Sequence, residues 1–215
     1  MIDGPRLPPA AGGSPKSLVV FLHGYGADGN DLIGLGREWA RHLPHTTFVS
    51  PHALQPCAGA PMGRQWFPLT MRDPAEFARG VANARPSIDT FLDAELSRHG
   101  LEERAVALVG FSQGTMLALH VGPQRKGRLA GILGYSGLLA DAAALKGPAV
   151  QKPPILLIHG DRDDLIPVAA VFSAAQGLSA AEIPVEWHIS SGVPHGIGPD
   201  GLELGLKFLK RVLPA

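Results

Sequence analysis

The 215-residue chain is poor in cysteine, has no net charge and lacks any long apolar run. Its one cysteine, Cys57, excludes an intrachain disulfide and a cysteine-built zinc cage, and it fits a reducing compartment. Nineteen basic residues cancel nineteen acidic ones, so nothing draws the chain at long range to a phosphate backbone or an anionic membrane, and no nucleic-acid partner is expected. The early apolar run Leu18–Leu22 is far shorter than the ~18 residues that suggest a membrane span. The first residues, Met1-Ile2-Asp3-Gly4-Pro5, have neither the basic segment nor the apolar stretch of a signal peptide. The expectation is a cytoplasmic globular protein, with 45% hydrophobic and 18% charged residues. Glycine (27) and proline (20) fall short of low-complexity levels, and so they read as turns and special backbone positions.

Residues 1–16 form a Pro/Gly-rich tail or short edge element. Beyond them, residues 17–215 read as one domain without repeat, charge block or linker. Short apolar runs occur at Leu18–Leu22, Thr47–Val49, Ala105–Val109, Gly131–Leu133 and Ile155–Ile158, with a weaker one at Val185–Ile189. They lack polar alternation, as strands covered on both faces do. Helical periodicity fills the gaps at Asp31–Arg41, Glu76–His99, Gln113–His120, Val168–Leu178 and Leu202–Val212. This alternation predicts an α/β fold, a mostly parallel central sheet with helices on both faces. Ligands of such sheets sit at the carboxyl ends of the strands, so chemistry-bearing residues should directly follow the apolar runs. The stretch Pro51–Leu69 shows no helix or strand pattern. It reads either as a loop walling the site or as an excursion whose aromatics fill core.

Gly110-Phe111-Ser112-Gln113-Gly114 follows the run Ala105–Val109 and precedes an apolar helical stretch. Gly-x-Ser-x-Gly between strand and helix is a nucleophile elbow, with glycines where side chains would collide with neighbouring backbone. A serine needs a base and the base an orienting acid, arriving in the order Ser, acid, His. Of the four histidines downstream, His120 lies in the following helix, His159 ends a strand and His188 lies within one. His195 sits in the Gly-framed loop Ser191–Gly198, where a base can lean over the serine. After the strand Ile155–Ile158 three aspartates compete for the acid, Asp161, Asp163 and Asp164, and spacing alone does not separate them. The backbone N–H of Gln113, at a helix N-terminus, and that of Tyr25, in the turn His23-Gly24-Tyr25-Gly26, are the candidate oxyanion donors. His23 reads as a brace for that turn.

Taken together, Leu22-His23-Gly24-Tyr25-Gly26, Gly110–Gly114, Gly160–Pro167 and Pro194-His195-Gly196-Ile197 resemble the carboxylesterase/phospholipase family of α/β-hydrolases, which includes the acyl-protein thioesterases. Gly63-Arg64-Gln65-Trp66-Phe67 is similar to that family's active-site loop, and the likeness runs from about Leu18 to Val212. The resemblance implies that Asp163 is the acid, the fourth residue of a Gly-x-x-Asp-x-x-Val-Pro pattern. Asp164 departs from the proline usual in the thioesterases, and Ile166 replaces Val. The implied activity is hydrolysis of small carboxylic esters by Ser112, His195 and Asp163, with no cofactor or metal. Trp66, Phe67, Leu69 and Ile166 are candidates for an apolar acyl pocket. A chain this compact has no room for a large cap domain, so a shallow site favouring short acyl chains is expected. Thioester or lysolipid hydrolysis would use the same residues, whereas a non-catalytic binding module would lack a triad member. A homodimer is implied at family level only.

Overall fold

The structure is a computed structural model that describes residues 2–57, 59–70, 73 and 75–214. Seven strands form one sheet in the order β1-β3-β2-β6-β7-β8-β9. They are β1 (Arg6–Leu7), β2 (Ser17–Leu22), β3 (Thr46–Val49), β6 (Val106–Phe111), β7 (Gly131–Tyr135), β8 (Ile155–Gly160) and β9 (Val185–Ser190). All neighbours pair in parallel except β1, which lies antiparallel to β3 at one edge. The helices are α1 (Gly29–Trp39), α2 (Glu76–His99), α3 (Gln113–Val121), α4 (Ala169–Ala180) and α5 (Pro199–Val212).

The unbroken apolar character of β2 and β6 follows from burial on both sides, because successive side chains enter different cores. Leu18, Val20 and Leu22 join Val106 and Leu108 in a core completed by α2, α3 and α4 through Ile88, Leu117 and Leu178. Val19 and Phe21 join Ala107 and Val109 on the opposite face, under Ile33 and Trp39 of α1 and Phe208 of α5. The outer strand β9 pairs only with β8 among the described residues, and most of its side chains are half-buried or exposed.

The segment after β3 differs from its sequence pattern. Within 51–69 the chain forms a two-stranded antiparallel hairpin, β4 (Gln55–Cys57) and β5 (Ala60–Gln65). Pro56, Gly59 and Gly63 hide these strands from propensity, and the pairing is irregular between Pro56 and Cys57. Backbone bonds supply what propensity does not: Gly26 N–H donates to the Arg64 carbonyl at 2.9 Å, and Arg64 N–H to the Ala27 carbonyl at 2.8 Å. The hairpin is thereby stitched to the turn that follows β2.

From β2 the chain moves to β3 on one side, then returns to place β6 on the other. The strand order reverses at the β2/β6 boundary, which leaves a crevice at the carboxyl ends of those two strands. No helix among the described residues is long and apolar enough to cross a membrane.

Arg125, buried just after α3, binds Asp89 at 2.8 Å, Glu103 at 2.7 Å and Asp93, anchoring α2 against the loops beneath β6. Arg125→Met leaves these half-exposed carboxylates without their cation. We expect a loss of about 2 kcal/mol of unfolding free energy in urea titration. An unaltered urea midpoint would show that the cluster is not an anchor.

Candidate active site

Ser112 occupies the junction between β6 and α3 with φ 53° and ψ −115°. Residues with side chains rarely enter that region, so the surroundings must hold it there. Here the constraint is steric. A β-carbon at Gly114 would stand 1.8 Å from the carbonyl oxygen of Leu22, and one at Gly110 would stand 2.5 Å from the amide nitrogen of Thr115. The Ser112 N–H donates to the Tyr135 carbonyl at 2.9 Å, and the Thr115 hydroxyl donates to the same carbonyl at 2.8 Å. The elbow is thus pinned to β7 as well as to β2.

His195 reaches the serine from the loop after β9. Its Nε2 lies 3.0 Å from Ser112 Oγ, and its Nδ1 lies 2.7 Å from Asp163 Oδ2. A carboxylate only accepts, so Nδ1 carries the proton and Nε2 is free to accept from the serine hydroxyl. The Phe111 ring, 5.0 Å away between centroids, backs the imidazole.

Among the three candidate aspartates, Asp161 and Asp164 are exposed and Asp163 is buried. Asp163 Oδ1 accepts the N–H groups of Leu165 at 3.0 Å and Ile166 at 2.8 Å. Burial pushes the Asp163 carboxyl up, but the Ile166 N–H, His195 and the Leu165 N–H outweigh it and hold the group below the usual carboxylate range. A depressed folded-state pKa stabilises the fold fully above the ordinary Asp value, and that contribution fades as pH falls through the lowered one. Asp161 has a different task. Its carboxylate accepts Gly192 N–H at 2.6 Å, its own N–H donates to Ser190 O at 3.1 Å, and Arg162 N–H donates to Val193 O at 3.0 Å. These bonds fasten the acid turn to the histidine loop.

The other downstream histidines stay away from the serine. His120 is buried in α3, and burial lowers its pKa. His188 is held by Asp200 at 2.8 Å on the outer strand. His159 is buried at the end of β8.

Gln113 is the first residue of α3, so its N–H has no carbonyl within the helix to receive it. On the facing turn, Gly26 and Ala27 direct their N–H groups to Arg64 O and Gly24 O, which leaves that of Tyr25 without a backbone acceptor among the described residues. This turn lies close to the serine, since a β-carbon at Gly24 would stand 3.5 Å from that of Ser112. His23 braces it: Nδ1 donates to the Gly24 carbonyl at 2.8 Å, and Nε2 accepts Ala53 N–H at 3.1 Å. Burial lowers the His23 pKa, in line with a neutral ring.

A half-open apolar cavity of about 540 Å³ adjoins Ser112 and His195. Leu69 and Ile166 line it. Trp66 and Phe67 do not: both are buried in the core beneath the hairpin, where the Trp66 indole N–H donates to His23 O at 2.9 Å and its ring packs on the His23 ring. Their place on the wall is taken by Phe77, Phe111, Met116, Leu138 and Leu165. Met116, one turn beyond Ser112, and Leu165, beside Ile166, were within reach of spacing arguments. Phe77 and Leu138 arrive only through tertiary packing.

Comparison with known proteins settles the lineage. A family model described as Phospholipase/Carboxylesterase matches residues 10–213. The chain belongs to the phospholipase/carboxylesterase family. Acyl-protein thioesterase 1 of Saccharomyces cerevisiae is 30% identical over 214 residues, covering 92% of this chain and 93% of that protein. Esterase YpfH of Escherichia coli (strain K12) is 26% identical, with 93% and 84% covered. Among solved structures, esterase PE8 superposes with a TM-score of 0.94 at 42% identity, covering 99% of each chain. The fold is that of the α/β-hydrolases, and the chain is a hydrolase of this family.

Within this family member the Gln113 side chain joins the elbow to the 66–67 segment: Oε1 accepts Trp66 N–H and Nε2 donates to Phe67 O, both at 2.8 Å. Gln113→Leu leaves both buried backbone groups unpaired while keeping the Gln113 N–H. The expected loss is about 2–4 kcal/mol of unfolding free energy, read from denaturant titration. A stability equal to wild type would mean that the amide clamp fastens nothing.

Proposed function

We propose that this hydrolase cleaves small carboxylic esters through an acyl-enzyme on Ser112, with His195 as general base and acid and Asp163 as its orienting partner. The observation that carries the reading is the single imidazole spanning Ser112 Oγ at 3.0 Å and Asp163 Oδ2 at 2.7 Å. A serine hydroxyl is a weak nucleophile at neutral pH, and a neutral imidazole in contact with it supplies the missing base.

The steps follow from the geometry. His195 Nε2 takes the hydroxyl proton as Oγ bonds to the ester carbonyl carbon. Charge moves to the carbonyl oxygen, which is held by the N–H groups of Gln113 and Tyr25; losing one such donor typically costs about 2.7–4 kcal/mol of transition-state stabilisation. Asp163 steadies the imidazolium. Collapse of the tetrahedral adduct breaks the carbon–oxygen bond to the alcohol, which leaves with the proton from Nε2. A water then gives its proton to the same nitrogen and attacks the acyl carbon. The acid product departs, the Nε2 proton returns to Ser112, and the acid releases its own proton to solvent.

Short acyl chains are favoured in this reading, because the apolar wall is half-open and no cap domain covers it among the described residues. Thioester hydrolysis is the second reading, favoured by the likeness to a protein named acyl-protein thioesterase 1. Matched ester, thioester and lysolipid substrates of graded chain length separate the two. Oxygen esters of a few carbons should have the highest kcat/KM, and long-chain thioesters turned over hundreds of times faster would reverse the assignment.

A fluorophosphonate probe should label Ser112, and Ser112→Ala should lose both label and at least about 10³-fold in kcat. Because His195 must be neutral to accept the proton, the rate should fall as acid protonates it. A label elsewhere, or a rate that stays flat down to pH 4, would overturn the triad.

A further inference from the structure

His159 lies at the end of β8 fully inside the protein, four residues before Asp163, and takes no part in the proton transfers proposed above. Its Nε2 lies 2.8 Å from the carbonyl oxygen of Ile166 and 3.2 Å from Asp163 Oδ2. Both neighbours are acceptors, so this nitrogen must carry its proton, since a lone pair in that position would face two negative oxygens. The N–H bonds to the Ile166 carbonyl, and the same nitrogen stands close beside the carboxylate without a hydrogen bond to it, so the proton's positive charge lies next to Oδ2. The oxygen it faces is the one that accepts from His195 Nδ1 at 2.7 Å. Two imidazoles therefore lie within 3.2 Å of Asp163 Oδ2, while two backbone N–H groups hold Oδ1.

We propose that His159 is a positioning residue for Asp163: its N–H fixes the rotation of the carboxylate toward His195 and draws negative charge from Oδ2, setting how strongly Asp163 holds the imidazolium of His195. The proposal rests on the triad reading above and adds a fourth residue to it. The effect on acid and base strength follows in sign. A positive N–H edge held next to a carboxylate oxygen favours its ionised form and weakens its pull on a donor. Removing the His159 N–H leaves a more basic Oδ2, which binds the protonated ring of His195 more tightly and keeps it protonated to higher pH. It also frees the carboxylate to turn, so the ring meets Ser112 less often in register.

The ionisable groups facing this cluster are few. His195 and Ser112 face it from the histidine loop and the elbow, and Tyr25 stands across the cavity. The sequence of α4, Ala169–Ala180, contains no titratable side chain. His188 and Asp200 are engaged with each other on the outer strand and α5, and Asp161 is bound to the histidine loop. The Tyr135 hydroxyl on β7 donates to the Gly201 carbonyl at 3.0 Å.

Two substitutions test the idea. His159→Gln can place an N–H near the position of Nε2, whereas His159→Leu fills similar space without a donor. The readouts are kcat, KM and the acidic limb of kcat/KM against pH on a short-chain ester, with the thermal midpoint measured beside them. In His159→Leu the limb should move to higher pH by about half a unit or more, and kcat should fall about tenfold with KM nearly unchanged. His159→Gln should return the limb and most of kcat. If the folded His159→Leu protein keeps the wild-type limb and kcat, the proposal is wrong. It is equally wrong if Leu and Gln lose activity in parallel at every pH with matching losses of thermal midpoint, which is the mark of a packing residue. His195→Ala on the same substrate isolates the underlying reading. If that variant stays active, the triad itself fails. If it is inactive while His159→Leu matches wild type, only the role of His159 falls.

Discussion

The first turn of α3 lies so close to the end of β2 that a β-carbon at Gly114 would stand 1.8 Å from the Leu22 carbonyl, and the rest of the site depends on that contact. Close approach brings the N-terminus of α3 beside the His23–Gly26 turn, where Gly24 and Tyr25 line the same cavity as Ser112. It also forces Ser112 into a conformation that its own residue type disfavours, and the cost is carried by the packing of the sheet around it. Chemistry gathers there because the strand order reverses at β2 and β6, leaving the crevice uncovered by a crossover connection.

A second constraint is electrostatic. Asp163 has its side chain entirely removed from solvent, which alone would favour the neutral acid. Donors from the backbone and His195 reverse that preference, so the carboxylate stays charged in a dry environment where its effect on an imidazole is strong. The network is distributed in sequence. The acid turn follows β8, the histidine loop follows β9, and Asp161 ties the two loops together.

Much of this was legible from residue order alone, for reasons that can be named. The strands of the central sheet are buried on both faces, so they appear as unbroken apolar runs, and Ser112 was readable because a strand, a glycine-flanked turn and a helix stand in sequence. Spacing did not separate Asp161 from Asp163, since the two differ in which way the turn points them, a property of the folded loop; the family pattern chose Asp163. The hairpin 55–65 was missed because its strands are held by pairing with the Gly26–Ala27 turn and not by β-forming residues. Trp66 and Phe67 were misread as pocket for a related reason. An apolar side chain beside a site looks the same in sequence whether it faces the substrate or the core, and the Gln113 amide turns these two inward.

The arrangement of donors among strands carries a dynamic implication. The serine rises from the sheet's centre, but the imidazole hangs from a loop behind β9, which is bonded to a neighbour on one side only among the described residues. Edge elements open at lower free energy than interior ones. Brief peeling of that outermost ribbon would withdraw the imidazole while leaving the elbow and both cores intact. The place of the imidazole thus depends on how the last strand and its loop are fastened, a dependence that the serine at the sheet's centre does not share.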